Sequence, residues 1–213
     1  MGVIEENLLK VKERIADAAT RVGRDPAQIT LIAVTKTVAI ERIREAITAG
    51  MIAFGENYVQ EARNKIDEIG RTGLQWHFIG HLQTNKAHYA VRLFNLIHAV
   101  DSIKLARELN KRATAEGKTI HCLIESNISE EASKFGTTEE EARELAHEMH
   151  GLEHISLQGL MTMPPYFDDP ELARPYFIAL RKLQEKIAQD GIPLPELSGR
   201  LDEIDPKKPT MIY

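Results

Sequence analysis

The sequence predicts an α/β fold built as a closed parallel barrel of the TIM type. Three observations carry that expectation. Short apolar runs alternate with helix-patterned segments along most of the chain, the runs are continuously apolar rather than alternating, and the residues that close them are polar. Strand and helix signatures in alternation mark a parallel sheet inside a helical coat, and strands covered on both faces lose the two-residue alternation. A doubly wound open sheet carries the same signature and is the alternative.

The elements follow in order. Ile4, Leu8, Val11, Ile15, Ala18 and Val22 recur at three-and-four spacing, which predicts a leading helix with one buried stripe ending near Gly23. "LIAVT" at 31–35 then predicts a strand followed by a helix over 39–49, "MIAF" a strand followed by 57–69, and "QWHFI" a strand followed by about 85–93. "LIHAV" precedes a helix over 103–116, "TIHCLIES" one over 138–150, "ISLQGLM" one over 171–190, and "PELS" closes the series as a seventh strand. Local signals agree: Gly50 can cap one helix at its C-terminus, Ser102 can cap another at its N-terminus, and Thr138 with Glu141 forms a capping box.

Composition narrows the function classes. The 213 residues are 43% hydrophobic and 28% charged, ordinary for a soluble globular domain, and the net charge of -5 argues against an electrostatic grip on nucleic acid. The single cysteine, Cys122, sits in an apolar run and reads as a buried thiol in a reducing cytoplasm. The N-terminus reads as a helix rather than a signal peptide, and no apolar segment approaches the ~20 residues of a membrane span. A cytoplasmic monomer is expected, with one barrel domain over 1–198 and an atypical tail over 199–213.

Ligands of parallel barrels sit at the carboxyl ends of the strands, so the residues closing each run are the candidates. They are Lys36, then Glu56 and Asn57, then Gly80 and His81 with His77 inside the run, then Asp101, then Glu125 and Asn127, then Met161, Thr162 and Met163. A lysine at such a mouth is partly desolvated, which favours the neutral amine that attacks aldehydes and makes an imine plausible. A structural ion pair with Glu56 or Asp101 is the other reading of Lys36, and a helix cap is the other reading of Asn57. His147, His150 and His154 have a spacing that could face a metal, but without a cysteine or a paired-histidine motif a solvated face fits better. Dinucleotide, P-loop and serine-hydrolase motifs are absent from the sequence.

Through "AVTK", "FGENYVQEA", "WHFIGHLQTNK", "SKFG" and "GLMTM" the chain resembles the pyridoxal phosphate homeostasis protein family, also called the YggS/PROSC family, and the resemblance covers roughly residues 3–198. The resemblance implies an eight-stranded barrel like the alanine racemase N-terminal domain, with pyridoxal 5'-phosphate held as an imine on Lys36. It further implies that Asn57, His77 and Met161 line the cofactor and that Ser198 begins the phosphate site. Lys86 and Lys134 match lysines implicated in cofactor handling. The family is regarded as having no reaction of its own and as delivering the cofactor to apoenzymes. An imine-dependent enzyme, such as an amino-acid racemase or an aldolase, and a cofactor-free remnant are the alternatives. After Ser198 the chain departs from the family, reading "GRLDEIDPKKPTMIY" where a phosphate loop, a helix and a last strand are expected. The expectation is a last βα unit that is missing or altered, leaving two open sheet edges and a weaker grip on phosphate.

Overall fold

Helix and strand alternate along the chain as the apolar runs predict. In the computed structural model, which describes residues 2–128 and 135–199, α1 (Val3–Arg21) precedes β1 (Ala33–Val34), α2 (Ile40–Thr48), β2 (Ala53–Glu56) and α3 (Val59–Ile69). Then come β3 (Gln75–Phe78), α4 (Ala87–Leu93), β4 (Leu96–Val100), α5 (Ile103–Ala115), β5 (Ile120–Glu125), α6 (Glu139–His150), β6 (Ile155–Thr162), α7 (Arg174–Gln189) and β7 (Glu196–Gly199). Short 3-10 turns fill 26–28, 84–86 and 170–173. The capping signals hold: Ser102 Oγ accepts from the Leu105 N–H at 3.4 Å, Thr138 and Glu141 form the capping box, and Gly50 has φ +89°.

All seven strands form one parallel sheet in the order β1-β2-β3-β4-β5-β6-β7. A doubly wound sheet reverses its order at a switch point, and this one does not. The sheet is also strongly curled. Strands lie about 4.8 Å apart, so β4 and β7 would be about 14 Å apart if the sheet were flat. Yet His98 of β4 reaches Ser198 of β7 at 2.9 Å. Side chains of opposite walls therefore meet inside the curl.

Each strand presents one face to that interior and one to the helices, which explains the missing alternation. Phe54, Trp76, Phe78, Ile97, Cys122, Ile124 and Leu160 pack outward into one cluster with Ile43, Ile66, Leu105, Leu145 and Leu183 of the helices. Within it the Phe54 and Trp76 rings lie 5.4 Å apart and the Phe78 and Phe94 rings 5.1 Å apart. Burying such side chains contributes roughly 1.5 to 3 kcal/mol each. Cys122 is one of these outward residues, and burial pushes its thiol pKa up, so it packs as a small hydrophobe. On the inner face Gly55 is closely covered: a Cβ there would lie 2.8 Å from Ile79 Cδ1 and 3.1 Å from Ile32 Cγ2, so the Ile79 side chain would have to shift.

Two expectations need correction or placing. The stripe on α1 is shorter than its periodicity implies, since Leu8, Val11 and Ala19 are buried whereas Ala18 is exposed and Val22 is 78% exposed. Ala19, next to Ala18, is 3% exposed, so the buried stripe ends one position off the predicted phase and only Val22 lies beyond it. The expected alteration of the last βα unit falls on 200–213, outside the described residues. β7 itself includes Gly199, the first residue of the segment read as a tail. Among the described residues β1 is paired as a strand only with β2, and β7 only with β6. No helix of the described residues is long and apolar enough to cross a membrane.

Gly159 makes a test of the β6–β7 junction. A Cβ built there would lie 1.8 Å from the Glu196 carbonyl oxygen, backbone that cannot step aside. Gly159→Ala should detach β7 and cost roughly 2 kcal/mol or more, as overpacking does, read as a lower melting temperature with faster amide exchange in 196–199.

Candidate functional site

Lys36 follows β1 directly and is half-buried. The turn that carries it is clamped on both sides. Before it, Thr35 donates its hydroxyl to Glu56 Oε1 at 2.6 Å, and its carbonyl accepts from the Lys65 ammonium. After it, the Thr37 N–H donates to Glu61 Oε1 at 2.6 Å. Lys65, only 4% exposed, binds both carboxylates, at 2.8 Å to Glu56 and 2.6 Å to Glu61. One ammonium thus joins the end of β1, the end of β2 and the first turns of α3. Thr37 has φ +60°, the one non-glycine positive φ among the described residues. For a β-branched residue that conformation is strained, and the Glu61 bond holds it.

Glu56 therefore answers to Lys65. Its carboxyl is fully buried, and burial raises its pKa against the opposing pull of Lys65 and Thr35. One oxygen, Oε2, has no hydrogen-bond partner.

The helix-cap reading of Asn57 is corrected. Helix α3 starts at Val59 with Tyr58 at the N-cap and no side-chain cap, and Asn57 Oδ1 is buried without a partner. The backbone of Asn57 is pinned from the β3 side: a Cβ at Gly80 would lie 2.6 Å from its carbonyl oxygen. An acceptor fixed in place and left unsatisfied is costly unless something supplies a donor.

Across the interior runs a line of three polar groups that the sequence reading only partly contained. His77 Nδ1 lies 2.9 Å from His98 Nε2, and His98 Nδ1 lies 2.9 Å from Ser198 Oγ. Burial pulls the His77 pKa down to about 4, and burial with the neighbouring His77 holds His98 well below its usual 6.5. Both rings are neutral near pH 7. Next to Ser198 a narrow cavity is lined by Ile79, His98, Met161, Met163, Ser198 and Gly199. Gly199 takes no side chain because the Phe177 ring of α7 lies 2.3 Å from where a Cβ would stand. Structure thus brings His77, Met161 and Ser198 together around His98, a residue not singled out from sequence. A histidine inside "LIHAV" reads as ordinary core; only its match in strand position to His77 could have signalled it.

The opposite wall is acidic. Glu125 ends β5 and is 9% exposed; burial, then the charge of Asp101, raises its pKa to about 7. Asp101 is also bonded to His81 at 3.3 Å, and His81 stacks on Phe135 at 4.0 Å between centroids. Lys86 is exposed at the end of a 3-10 turn, while Lys134 lies outside the described residues. The three spaced histidines do not converge: His147 bonds to Asp190, His154 to the Lys118 carbonyl, and His150 is exposed.

Four likenesses to known proteins bear on this arrangement. The family model for the alanine racemase N-terminal domain matches residues 7–200. The pyridoxal phosphate homeostasis protein of Escherichia coli (strain K12) is 43% identical over 193 residues, covering 87% of this chain and 82% of that one. The structure of PipY from Synechococcus elongatus PCC7942 with PLP bound superposes with TM-score 0.74 at 32% identity, covering 86% of this chain and 87% of that one. The alanine racemase of Clostridium difficile 630, at 15% identity and TM-score 0.70, covers 88% of this chain and 50% of that one, a likeness of fold alone.

Two outcomes follow from the charges. Lys65→Met leaves the Glu56 carboxylate buried without its cation, which should cost about 3 to 5 kcal/mol in a urea unfolding experiment at pH 7; adding Glu56→Gln should restore part of it. Glu125, with its pKa raised from 4.5 to about 7, holds its proton more tightly folded than unfolded. Its contribution is present below pH 4.5 and is lost as pH rises through 7, on the order of 3 kcal/mol across that window. Glu125→Gln should remove that dependence, so the variant should gain stability relative to the parent as pH increases from 4.5 to 8.

Proposed function

We propose that this chain, which belongs to the pyridoxal phosphate homeostasis protein family, binds pyridoxal 5'-phosphate at the barrel mouth through Lys36 and serves as a holder of the cofactor rather than as an enzyme. The observation that carries the reading is the doubly clamped turn: a primary amine directly after a barrel strand, with the backbone on one side tied to the buried Lys65 and on the other to the half-buried Glu61. A ligand-bound relative of the same fold supports the choice of cofactor.

The residues present fit such a ligand. The cofactor supplies an aldehyde, which a primary amine can take up, and a phosphate dianion, which needs hydrogen-bond donors. Lys36 offers the amine. Ser198 offers a hydroxyl beside a glycine strand end. Asn57 Oδ1 is a buried acceptor with no protein partner, matching a ligand hydroxyl or protonated ring atom. His77 and Met161 would close the flank between these ends, and being neutral and apolar they keep water out without adding charge. Release to apoenzymes requires that nothing else at the mouth consume the bound aldehyde. Lys86 on its exposed turn, and Lys134, are proposed as amines that receive the ligand on its way in or out.

A second reading has one observation in its favour. Glu125 titrates near neutrality at the mouth, as a general acid or base would, and an enzyme of racemase or aldolase type would use it opposite Lys36. Racemisation and transamination assays with Glu125→Gln and Lys36→Ala separate the two: the holder reading expects no turnover above free cofactor in the parent chain.

Borohydride treatment of the loaded protein, followed by peptide mass mapping, should place the added mass on Lys36. Label on Lys86 or Lys134 with Lys36 unmodified would refute the assignment.

A further inference from the structure

We propose that His98 is a positioning residue for the anionic end of the ligand: with His77 behind it, it donates to Ser198 and so turns the serine hydroxyl hydrogen toward the phosphate. The inference rests on the cofactor reading above and adds to it the group that decides whether Ser198 can act as a donor at all.

The argument is one of counting hydrogens. A serine hydroxyl has one hydrogen and two lone pairs, and a neutral imidazole has one N–H and one acceptor nitrogen. Between His77 Nδ1 and His98 Nε2, 2.9 Å apart, lies one hydrogen, and between His98 Nδ1 and Ser198 Oγ, also 2.9 Å apart, lies another. With both rings neutral, only two arrangements satisfy the line. In one, His77 Nδ1–H donates to His98 Nε2, and His98 Nδ1–H donates to Ser198 Oγ. The serine hydrogen is then free to point away from the histidine. In the other, every bond is reversed: Ser198 spends its hydrogen on His98 Nδ1, and His98 Nε2–H donates to His77.

The oxygens of a dianionic phosphate monoester accept and do not donate, so such a group can bind Ser198 only in the first arrangement. His98 is 2% exposed and His77 5%, so water is not available to replace either partner. The hydrogen therefore moves along the whole line or not at all, and an anion at Ser198 fixes the tautomer of a ring on the far side of His98. Doubly protonated His98 would also donate to Ser198, but its burial beside a second imidazole opposes that charge.

The test uses the full chain and two ligands that differ only in the phosphate: pyridoxal 5'-phosphate and pyridoxal, each titrated by absorbance into the parent and into His98→Phe, His98→Asn, Ser198→Ala and the His98→Phe/Ser198→Ala double variant. Losing one charge-assisted bond should weaken pyridoxal 5'-phosphate roughly tenfold or more in His98→Phe, with a far smaller change for pyridoxal. His98→Asn, which can place an amide N–H near the position of Nδ1, should recover most of the loss. The double variant should bind no more weakly than Ser198→Ala alone, because the two residues act as one unit. Equal losses for both ligands, or additive losses in the double variant, would overturn the proposal. Should His98→Phe fail to fold, nitrogen NMR of the parent labelled at histidine decides. Saturation with pyridoxal 5'-phosphate, whose phosphate is dianionic above pH 7, should show His98 as the Nδ1–H tautomer, and the Nε2–H tautomer in that sample would refute it. If the parent takes up neither pyridoxal nor its phosphate through Lys36, the cofactor reading itself falls, an outcome distinct from His98 having no role.

Discussion

The ammonium group of Lys65 is the interaction on which the mouth of this barrel depends. Taking a charge out of water costs several kcal/mol unless every direction is met by an acceptor, and here three acceptors meet it: the Thr35 carbonyl, Glu56 and Glu61. Each belongs to a different part of the chain, so satisfying one cation fixes the end of β1, the end of β2 and the start of α3 relative to one another. β1 has only two residues in strand pairing, too few to hold a turn by ladder bonds alone. The clamp supplies what the short strand lacks, and the strained Thr37 backbone persists because its N–H has a carboxylate to donate to.

From that anchored edge the sheet curls until β4 and β7 face each other, and the interior becomes a second organised layer. The imidazole line from His77 to Ser198 exists only because of the curl, and its neutrality keeps it from competing with the paired charges outside the barrel. Charge at the mouth is divided by strand order. Asp101 and Glu125 end β4 and β5, whereas Lys36 and Ser198 stand at β1 and β7.

Much of this was legible in the sequence because barrel strands declare themselves twice, by continuous apolar runs and by the polar residue that stops each run. "LIAVT" before Lys36 carries both signals, and so does "TIHCLI" before Glu125. Long-range polar pairing was not legible. Nothing local says that Glu56 will spend its charge on Lys65 nine positions later; the acid-then-base spacing of Glu61 and Lys65 on a helix was a usable hint, but burial of the lysine was not. His98 was hidden in an apolar run for the same reason. The alternative reading of Asn57 as a cap rested on Asn being a good cap, yet the helix starts two residues later at Val59, with Tyr58 at the N-cap. Periodicity on α1 misplaced the end of its contact because Ala19 rather than Ala18 is buried and Val22 continues the pattern into solvent.

The central claim is that a rigidly held amine at β1 takes up the aldehyde of pyridoxal 5'-phosphate. The absorption spectrum of the purified chain during titration with the cofactor tests it most directly. A new visible band that saturates at one equivalent in the parent and is absent from a folded Lys36→Ala variant is the predicted result. The same band in Lys36→Ala, or no band in the parent, would contradict the account.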